Sequence, residues 1–336
     1  MELSVVVSTL NDRERLLSCL DALTERTPSS TEIIVVNGPS SDGTTGVVRD
    51  RDDVDVLVEI SERNSSVSRN AGLELATGDV IAFLDGEYAI DHSWYPAIDE
   101  AMAGETDVVT GPVTDGPVSG DRQSPQQVAG RSVTHFHGGN VAFERPVLEA
   151  LNGFDEYLEE ASERDCAHRV AGLEYDVSWD AAMAARCGVG TDGGASSDES
   201  RTIRSDARDD ERATPSRPVR RSSSELRSDG GQADPDWGAT YRSLSYRLAK
   251  NYGLRPSVLA RTAGSALQEG CAGVRRLAAG EATPTGWVSD GTTVVTNITR
   301  GLWDGVRARY GDRSSKRNPH GIAERHDRAV RVYDWR

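Results

Sequence analysis

Lysine is nearly absent from this chain. Of its 38 basic residues only Lys250 and Lys316 are lysines, while 54 acidic residues give a formal net charge of −16. A large acidic excess with so little lysine favours a protein adapted to high salt, where the repulsion between like charges is screened. The acidity therefore says little about the charge of any ligand.

Cysteine and long apolar runs are also scarce. The four cysteines lie far apart without a Cys-x-x-Cys pair, which argues against a zinc ribbon, a redox motif or a disulfide framework and fits a reducing cytoplasm. No run reaches the roughly 18 apolar residues of a membrane span. Residues 1–8 lack the basic start of a signal peptide and predict a first strand. We expect a soluble cytoplasmic protein whose contact with a membrane is peripheral.

The chain is long enough for a large core. It has 336 residues, of which 37% are hydrophobic and 27% charged, which excludes a wholly disordered or collagen-like protein. Over residues 1–190, short apolar runs alternate with helical patterns, which is typical of βαβ units around a mostly parallel sheet. The predicted strands are Leu3–Ser8, Glu32–Val36, Val54–Glu59, Val80–Leu84 and Asp107–Gly111.

Two composition changes divide the rest of the chain. Residues 191–236 are rich in Ser, Asp, Arg, Gly and Pro, so burial cannot offset their ordering entropy and a disordered or mobile linker is predicted. Residues 237–336 carry a net charge of +9, against −25 for residues 1–236. Helical patterns predict a small helical C-terminal region. They cover 241–251, 257–279 and 292–310.

Acidic and polar residues follow the predicted strands, where open α/β sheets bind ligands. The turn after the fourth strand, Asp85-Gly86-Glu87, carries two carboxylates that can reach one divalent cation and, through it, a diphosphate. In an acidic chain such a pair is also common as solvated turn charge. The surrounding sequence favours the metal interpretation.

The stretch 64–87, NSSVSRNAGLELATGDVIAFLDGE, resembles the pattern N-x-S-x-x-R-N-x-G-x-x-x-A-x-G-D-x-x-x-F-L-D-x-D of family 2 glycosyltransferases. The turn 8–11, the loop 37–44 and the segments GGNVAF at 138–143 and NGFDE at 152–156 match further family motifs in order. The resemblance covers residues 1 to about 180. It implies a GT-A fold, with a mixed sheet flanked by helices, and an inverting enzyme that uses a nucleotide-diphosphate sugar.

The resemblance also implies site residues. Asp85 and Glu87 take the place of the family's Asp-x-Asp and would hold Mg²⁺ or Mn²⁺, with Glu87 as the direct ligand. Asn37 replaces the family acid that binds the nucleobase, and its amide can still donate and accept. The expected donor-binding residues are Thr9, Asn11, Asn37, Arg69 and Asp85.

The family's catalytic base lies at a helix start in the pattern E-D-x-D-L-x-x-R. The matching run, SERDCAHR at 162–169, places Glu163 on the base and keeps Asp165 as its rival. An ordinary first-turn acid is the structural alternative for Glu163. The residues expected near the acceptor lie around the GGN segment; they are His137, Gly139 and Asn140, with His135 as a further candidate.

The basic C-terminal region raises a question of partners. Tyr241, Leu244, Tyr246, Leu248 and Tyr252 interleave with Arg242, Arg247, Lys250 and Arg255. This mix suits an anionic membrane surface, and equally a helical subdomain packed on the acidic catalytic domain. No motif supports nucleic-acid binding. The region is similar to that of haloarchaeal glycosyltransferases of lipid-linked glycan assembly for protein N-glycosylation, which implies a lipid-linked or glycan acceptor.

Two other functions are weighed. A non-catalytic nucleotide-sugar-binding protein is possible because Asn37, Ser162 and Glu163 depart from the family residues. Release of nucleoside diphosphate from the donor distinguishes it from an enzyme. A dinucleotide oxidoreductase is disfavoured because the turn after Ser8 has no glycine fingerprint.

Overall fold

The structure is a computed structural model that describes residues 1–104, 106–114, 125–159, 161–187, 237–256, 284–310 and 327–336. The predicted linker at 191–236 and the predicted helix at 257–279 lie outside the described residues. The domain boundaries predicted there remain predictions.

The described residues form the following elements. The strands are β1 Leu3–Thr9, β2 Glu32–Asn37, β3 Val56–Ile60, β4 Val80–Asp85, β5 Tyr88–Ile90, β6 Val108–Thr110, β7 Val113–Thr114, β8 Gln126–Val128, β9 Arg131–Val133, β10 Asn140–Glu144, β11 Val177–Trp179, β12 Ala185–Cys187 and β13 Ala329–Asp334. The helices are α1 Arg13–Arg26, α2 Thr44–Arg49, α3 Ser65–Leu73, α4 Trp94–Met102, α5 Arg145–Leu151, α6 Ser162–Gly172, α7 Trp237–Tyr252 and α8 Pro284–Tyr310.

A mixed eight-stranded sheet forms the centre of the molecule, in the order β11-β6-β10-β4-β1-β2-β3-β13. β1 to β4 lie within a residue or two of the predicted strands, and β1 pairs in parallel with both β2 and β4. Alternate side chains enter cores on opposite faces: Val6 and Phe83 lie on one face, Val5 and Leu84 on the other. Because both faces are covered, the strands are nearly continuous apolar runs. The predicted fold class is confirmed.

Helix α3 explains several residues of the long motif at 64–87. Asn64 caps the helix by accepting hydrogen bonds from the amides of Ser66 and Val67. Asn70 donates to the carbonyl oxygen of Phe154 at 2.9 Å and accepts from the amide of the same residue at 2.9 Å. A Cβ at Gly72 would lie 2.2 Å from Cγ1 of Val6, so only glycine lets α3 sit this close to β1. These residues position Arg69 over the end of the sheet.

The C-terminal region packs on the N-terminal part of the chain instead of standing apart from it. Tyr246 is fully buried, and Tyr241, Leu248 and Tyr252 are nearly so. The side chain of Lys250, 1% exposed, pairs with two carboxylates of the N-terminal part. Of the two predicted roles for these side chains, the structure therefore supports a packed subdomain for α7.

A strand at the end of the chain was not expected. β13 pairs antiparallel with β3 and forms one edge of the main sheet. The C-terminal region was expected to be helical; the strand AVRVYD is mostly exposed and lacks the continuous apolar run by which the other strands were predicted. The helical part of the prediction is confirmed by α7 and α8. No helix within the described ranges is long and apolar enough to cross a membrane.

Candidate active site

Three strand ends meet at one edge of the sheet. Thr9 is in register with Asn37, and Ser8 with Asp85, so the turns after β1, β2 and β4 lie side by side. The amide of Gly86 donates to the carbonyl oxygen of Ser8 at 2.8 Å and fixes the Asp85-Gly86-Glu87 turn against β1. The edge predicted to bind ligands therefore carries the predicted acids.

Two glycines bring β10 up against the acidic turn and Arg69. A Cβ at Gly139 would lie 2.1 Å from Oδ2 of Asp85, and one at Gly138 would lie 2.8 Å from Nη2 of Arg69. Nη2 of Arg69 itself lies 3.6 Å from Oδ1 of Asp85. The glycine pair thus forms a floor that no side chain could replace, and Gly139, expected near the acceptor, lies directly against Asp85.

Glu87 lies at the mouth of the site, where Arg15 bridges two acids. Nη1 of Arg15 lies 3.2 Å from Oε2 of Glu87 and 3.4 Å from Oδ2 of Asp12. Burial raises the pKa of Asp12; Arg15 opposes this rise, and Glu87 and Asp42 add to it. Two carboxylates thus share one arginine, with Asp42 near enough to act on Asp12, and these acidic surroundings favour a bound cation.

The predicted metal ligands fit a metal that is shared with a substrate. Asp85 and Glu87 are each partly exposed, with side chains 25% and 35% accessible. In the parts of the chain that the structure describes, no group of three or more His, Cys, Asp or Glu residues is placed to hold a metal. Mg²⁺ and Mn²⁺ favour oxygen ligands, and Mg²⁺ is commonly bound by one or two carboxylates together with substrate phosphates.

The loops after β1 and β2 are tied together by the side chains predicted to bind the nucleotide. Oδ1 of Asn11 accepts from the amide of Ser41 at 2.7 Å. Asn37 is 1% exposed; its Oδ1 accepts from the hydroxyl of Ser40 at 2.7 Å, and its Nδ2 donates to the hydroxyl of Thr45 at 3.0 Å. In this geometry Asn37 holds the loop together, and its amide is too buried to contact a nucleobase. Oγ1 of Thr9 is buried and has no hydrogen-bond partner among the residues that the structure describes.

The two predicted bases occupy different environments in α6. Asp165 is fully buried, and its carboxylate accepts hydrogen bonds from Lys250 at 2.7 Å, Arg169 at 2.9 Å and Asn251 at 2.8 Å. Burial alone would raise the pKa of Asp165, but Lys250 and Arg169 hold it well below its usual range. Glu163 is only half-buried. Its negative charge opposes the lowering of the pKa of His137.

Arg69 connects the acidic turn to the start of α6. Its Nη1 donates to Oγ of Ser162 at 3.3 Å, while Nη2 faces Asp85. The structure therefore brings Asp85, Arg69 and the first turn of α6 together around Gly138 and Gly139.

The residues expected near the acceptor separate into two groups. His137 stands over the site, edge-on to Tyr88 with ring centroids 5.7 Å apart, and its Nδ1 accepts from the amide of Gly139. Burial lowers the pKa of His137, against the opposing effect of Asp85 and Glu163. His135 instead packs edge-on against His168.

Asn140 belongs to the framework. It is fully buried, its Oδ1 accepts from Nε1 of Trp94 at 2.8 Å, and its Nδ2 donates to the carbonyl oxygen of Met183 at 2.8 Å. This geometry gives no support to an acceptor contact by its side chain.

The NGFDE segment at 152–156 is an anchor for the C-terminal region, a role that its sequence did not predict. Oδ2 of Asp155 accepts from Lys250 at 2.6 Å and from the hydroxyl of Tyr246 at 2.8 Å. Glu156 accepts from Nε of the buried Arg328 at 2.5 Å. The sequence offered one signal. Lysine is rare in this chain, and Lys250, one of its two lysines, forms the buried ion pair with Asp155.

The sequence is similar to that of known glycosyltransferases. The family model for glycosyl transferase family 2 matches residues 4–152. The chain is 34% identical over 97 residues to glycosyltransferase AglE of Haloferax volcanii, covering 27% of this chain and 32% of that protein. It is 29% identical over 109 residues to the putative glycosyltransferase EpsH of Bacillus subtilis, covering 32% of each. The chain thus spans about a third of the length of the curated relatives it matches.

Solved structures share the fold. The S. aureus TarS fragment 1–349 in complex with UDP-GlcNAc superposes with a TM-score of 0.59 at 14% identity, covering 92% of this chain and 84% of the other. The mannosyltransferase PcManGT from Pyrobaculum calidifontis, in complex with GDP-Man and Mn²⁺, superposes with a TM-score of 0.53 at 19% identity, covering 90% and 87%. At these identities the similarity shows the GT-A fold alone.

Proposed function

We propose that this chain, whose residues 4–152 are a family 2 glycosyltransferase domain, transfers a sugar from a nucleotide-diphosphate donor to an acceptor hydroxyl with inversion. The observation that carries the proposal is the meeting of Asp85, Arg69 and the first turn of α6 over the Gly138-Gly139 floor. This arrangement offers carboxylates for a metal, a guanidinium for phosphate and a carboxylate for proton transfer within one site.

Asp85 and Glu87 bind the metal side of the donor. They would hold Mg²⁺ or Mn²⁺, whose charge, when bound, neutralises the charge that develops on the leaving diphosphate. Glu87 leaves its contact with Arg15 to do so, and Arg15 then remains paired with Asp12. Arg69, fixed between Asp85 and Ser162, is positioned to bind the donor phosphates.

Glu163 acts as the base. It takes the proton of the acceptor hydroxyl on the side opposite the leaving diphosphate, as in-line inversion requires. Asp165 supports it by anchoring α6, because three donors already occupy its carboxylate. A buried, fully hydrogen-bonded carboxylate cannot reach a substrate without breaking that network.

The acceptor is a lipid-phosphate-linked glycan at the cytoplasmic face of the membrane. The resemblance of the C-terminal sequence to haloarchaeal glycosyltransferases of lipid-linked glycan assembly supports such a role in protein N-glycosylation or other cell-surface glycan synthesis. The membrane contact is made by the outer face of α8, where Val295, Trp303 and Tyr310 are 64%, 70% and 74% exposed. Exposed apolar and aromatic side chains on a basic region suit an interfacial helix.

A donor panel tests the function. The purified chain is incubated with UDP and GDP sugars, with Mn²⁺ or with EDTA, and release of nucleoside diphosphate is measured. We expect release from one donor and its loss in EDTA. A non-catalytic binding protein would bind the same donor and release no diphosphate, which would contradict the proposal.

A further inference from the structure

Arg247 is a buried cation with no carboxylate partner in the part of the chain that the structure describes. It lies on α7 with 5% of its surface exposed, and its Nε has no hydrogen-bond partner among the described residues. Its Nη1 makes one long hydrogen bond, 3.4 Å, to the carbonyl oxygen of Ala161. Lys250, one turn further along the same helix, is by contrast paired with both Asp155 and Asp165.

Burying a guanidinium destabilises the fold unless an anion pairs with it. A guanidinium has five N–H donors and is not deprotonated in proteins at ordinary pH, so burial without an anion leaves both charge and donors uncompensated. Burial lowers the pKa of Arg247 to about 10, and repulsion from Arg164 adds to this fall. The group therefore remains charged near neutral pH and would gain from an anion.

Arg247 is directed at the start of α6. That eleven-residue helix begins after Ala161, which has left-handed backbone geometry and provides no side-chain cap. The N-terminal end of a helix carries partial positive charge and suits anions. Arg164 projects into solvent from the same first turn. Of the two acids in that turn, Asp165 is already neutralised by Lys250 and Arg169.

Two contacts locate Arg247 relative to the proposed base. Arg69 donates to Oγ of Ser162, and Arg247 donates to the carbonyl oxygen of Ala161, so between them the two arginines contact the two residues that immediately precede Glu163. An anion bound by Arg247 would therefore lie near the helix turn that carries Glu163.

We propose that Arg247, Arg164 and the first turn of α6 form a binding site for a phosphate group of the acceptor. Guanidinium groups bind phosphate with two parallel hydrogen bonds, and Nε with one Nη supplies the required pair. The bound phosphate would hold the acceptor so that its hydroxyl reaches Glu163. This inference rests on the proposed function for its place in the reaction, but phosphate binding can be measured without turnover.

The test uses the full chain with its donor site filled by a nucleoside diphosphate and Mn²⁺. Two probes are compared at constant ionic strength: inorganic phosphate, and phosphatidylcholine vesicles with or without polyprenyl monophosphate. Phosphate binding is followed by the shift of the unfolding midpoint, and vesicle binding by flotation. A response to inorganic phosphate alone, or to the lipid alone, identifies the source of the phosphate, and either supports the site.

The variants are Arg247→Met and Arg164→Gln, with the exposed Arg255→Gln as the matched control. We expect the first two to weaken phosphate binding roughly 10- to 100-fold, as for loss of hydrogen bonds to a charged group, and the control to bind like wild type. Without phosphate, Arg247→Met should be at least as stable as wild type, because an uncompensated buried charge is removed. An arginine that serves only the fold would instead lose stability on this change.

Wild-type phosphate affinity in both variants would overturn the proposal, as would absence of phosphate binding by the wild-type chain. If Arg247→Met does not fold, the exposed Arg164→Gln decides alone. Donor hydrolysis by the wild-type chain is measured in the same preparations. A chain that hydrolyses donor but fails the phosphate test overturns this site alone, whereas a chain that binds no nucleotide sugar overturns the proposed function.

Discussion

At the scale of single residues, the long motif at 64–87 combines two kinds of constraint. Asn64, Asn70 and Gly72 build helix α3 and its contacts, whereas Arg69 and Asp85 face the site. Both kinds leave a residue-type signature in the local sequence, so the motif was predictable as a whole. Which of its residues touch substrate was not, because that depends on contacts with distant segments.

The residues missed by sequence analysis act through such distant contacts. Arg15 reaches Glu87 across 72 positions, and Lys250 reaches Asp165 across 85. Neither pair has a local pattern. In sequence, a basic residue that stays in solvent cannot be distinguished from one that forms a buried ion pair, because only folding brings the partner carboxylate near.

Glu87→Gln should weaken metal-dependent donor binding while leaving metal-free binding nearly intact. The amide keeps an oxygen but loses the charge that a hard divalent ion prefers. Isothermal titration with nucleoside diphosphate, with and without Mn²⁺, measures this difference. Glu14→Gln, an exposed acid at the start of α1, is the control. Equal Mn²⁺ dependence in wild type and Glu87→Gln would remove Glu87 from the metal site.

At the scale of elements, α6 is held on both sides. Arg69 donates to Ser162 at its start, and Lys250 of α7 pairs with Asp165 in its first turn. The helix start was predictable from the SERDCAHR pattern, whereas its clamp by α7 was not. Likewise, strands β1 to β4 were predictable from their apolar runs. The pairing of β13 was not, because its partner β3 lies more than 260 residues away in the sequence.

Asp165→Asn should destabilise the fold by roughly 3–5 kcal/mol, the usual cost of removing one partner from a buried ion pair. The folded-state pKa of Asp165 lies below its unfolded value. Its stabilising effect is therefore complete above the unfolded pKa, near 4, and is lost as the pH falls toward the folded pKa. Urea unfolding across pH 3 to 7 should show a flatter acid limb in the variant. Asp176→Asn, an exposed change, should behave like wild type.

At the scale of the whole molecule, the basic C-terminal region completes the acidic catalytic domain. Lys250 neutralises Asp155 and Asp165, Arg328 pairs with Glu156, and β13 extends the sheet. The charge inversion between the two parts was visible in the sequence. Its use as a set of buried ion pairs was not, because an anionic membrane would have accounted for the same charges.

A chain truncated after residue 236 should therefore lose stability in its catalytic domain. Asp155 and Asp165 would be left in an apolar environment without the ammonium of Lys250, and β3 would become an exposed edge. Circular dichroism during thermal unfolding checks this. A truncated protein that unfolds at the same temperature as the full chain would show that the region is dispensable for folding.

Membrane contact should depend on α8, not on the tyrosines of α7. Trp303→Gln removes an exposed aromatic side chain, and flotation with vesicles containing anionic lipid should recover less protein. Leu173→Gln, which changes an exposed apolar residue after α6, is the matched control. Equal recovery of wild type and both variants would place the membrane contact elsewhere or exclude it.

The role of Glu163 is the central claim, and turnover of Glu163→Gln tests it most directly. The variant should bind the nucleotide sugar nearly as well as wild type and lose roughly 10²- to 10⁴-fold in kcat, as expected for removal of a general base. Glu159→Gln, an exposed change shortly before α6, should turn over normally. Normal kcat for Glu163→Gln, with a stably folded Asp165→Asn that is inactive, would contradict the account and assign the base to Asp165.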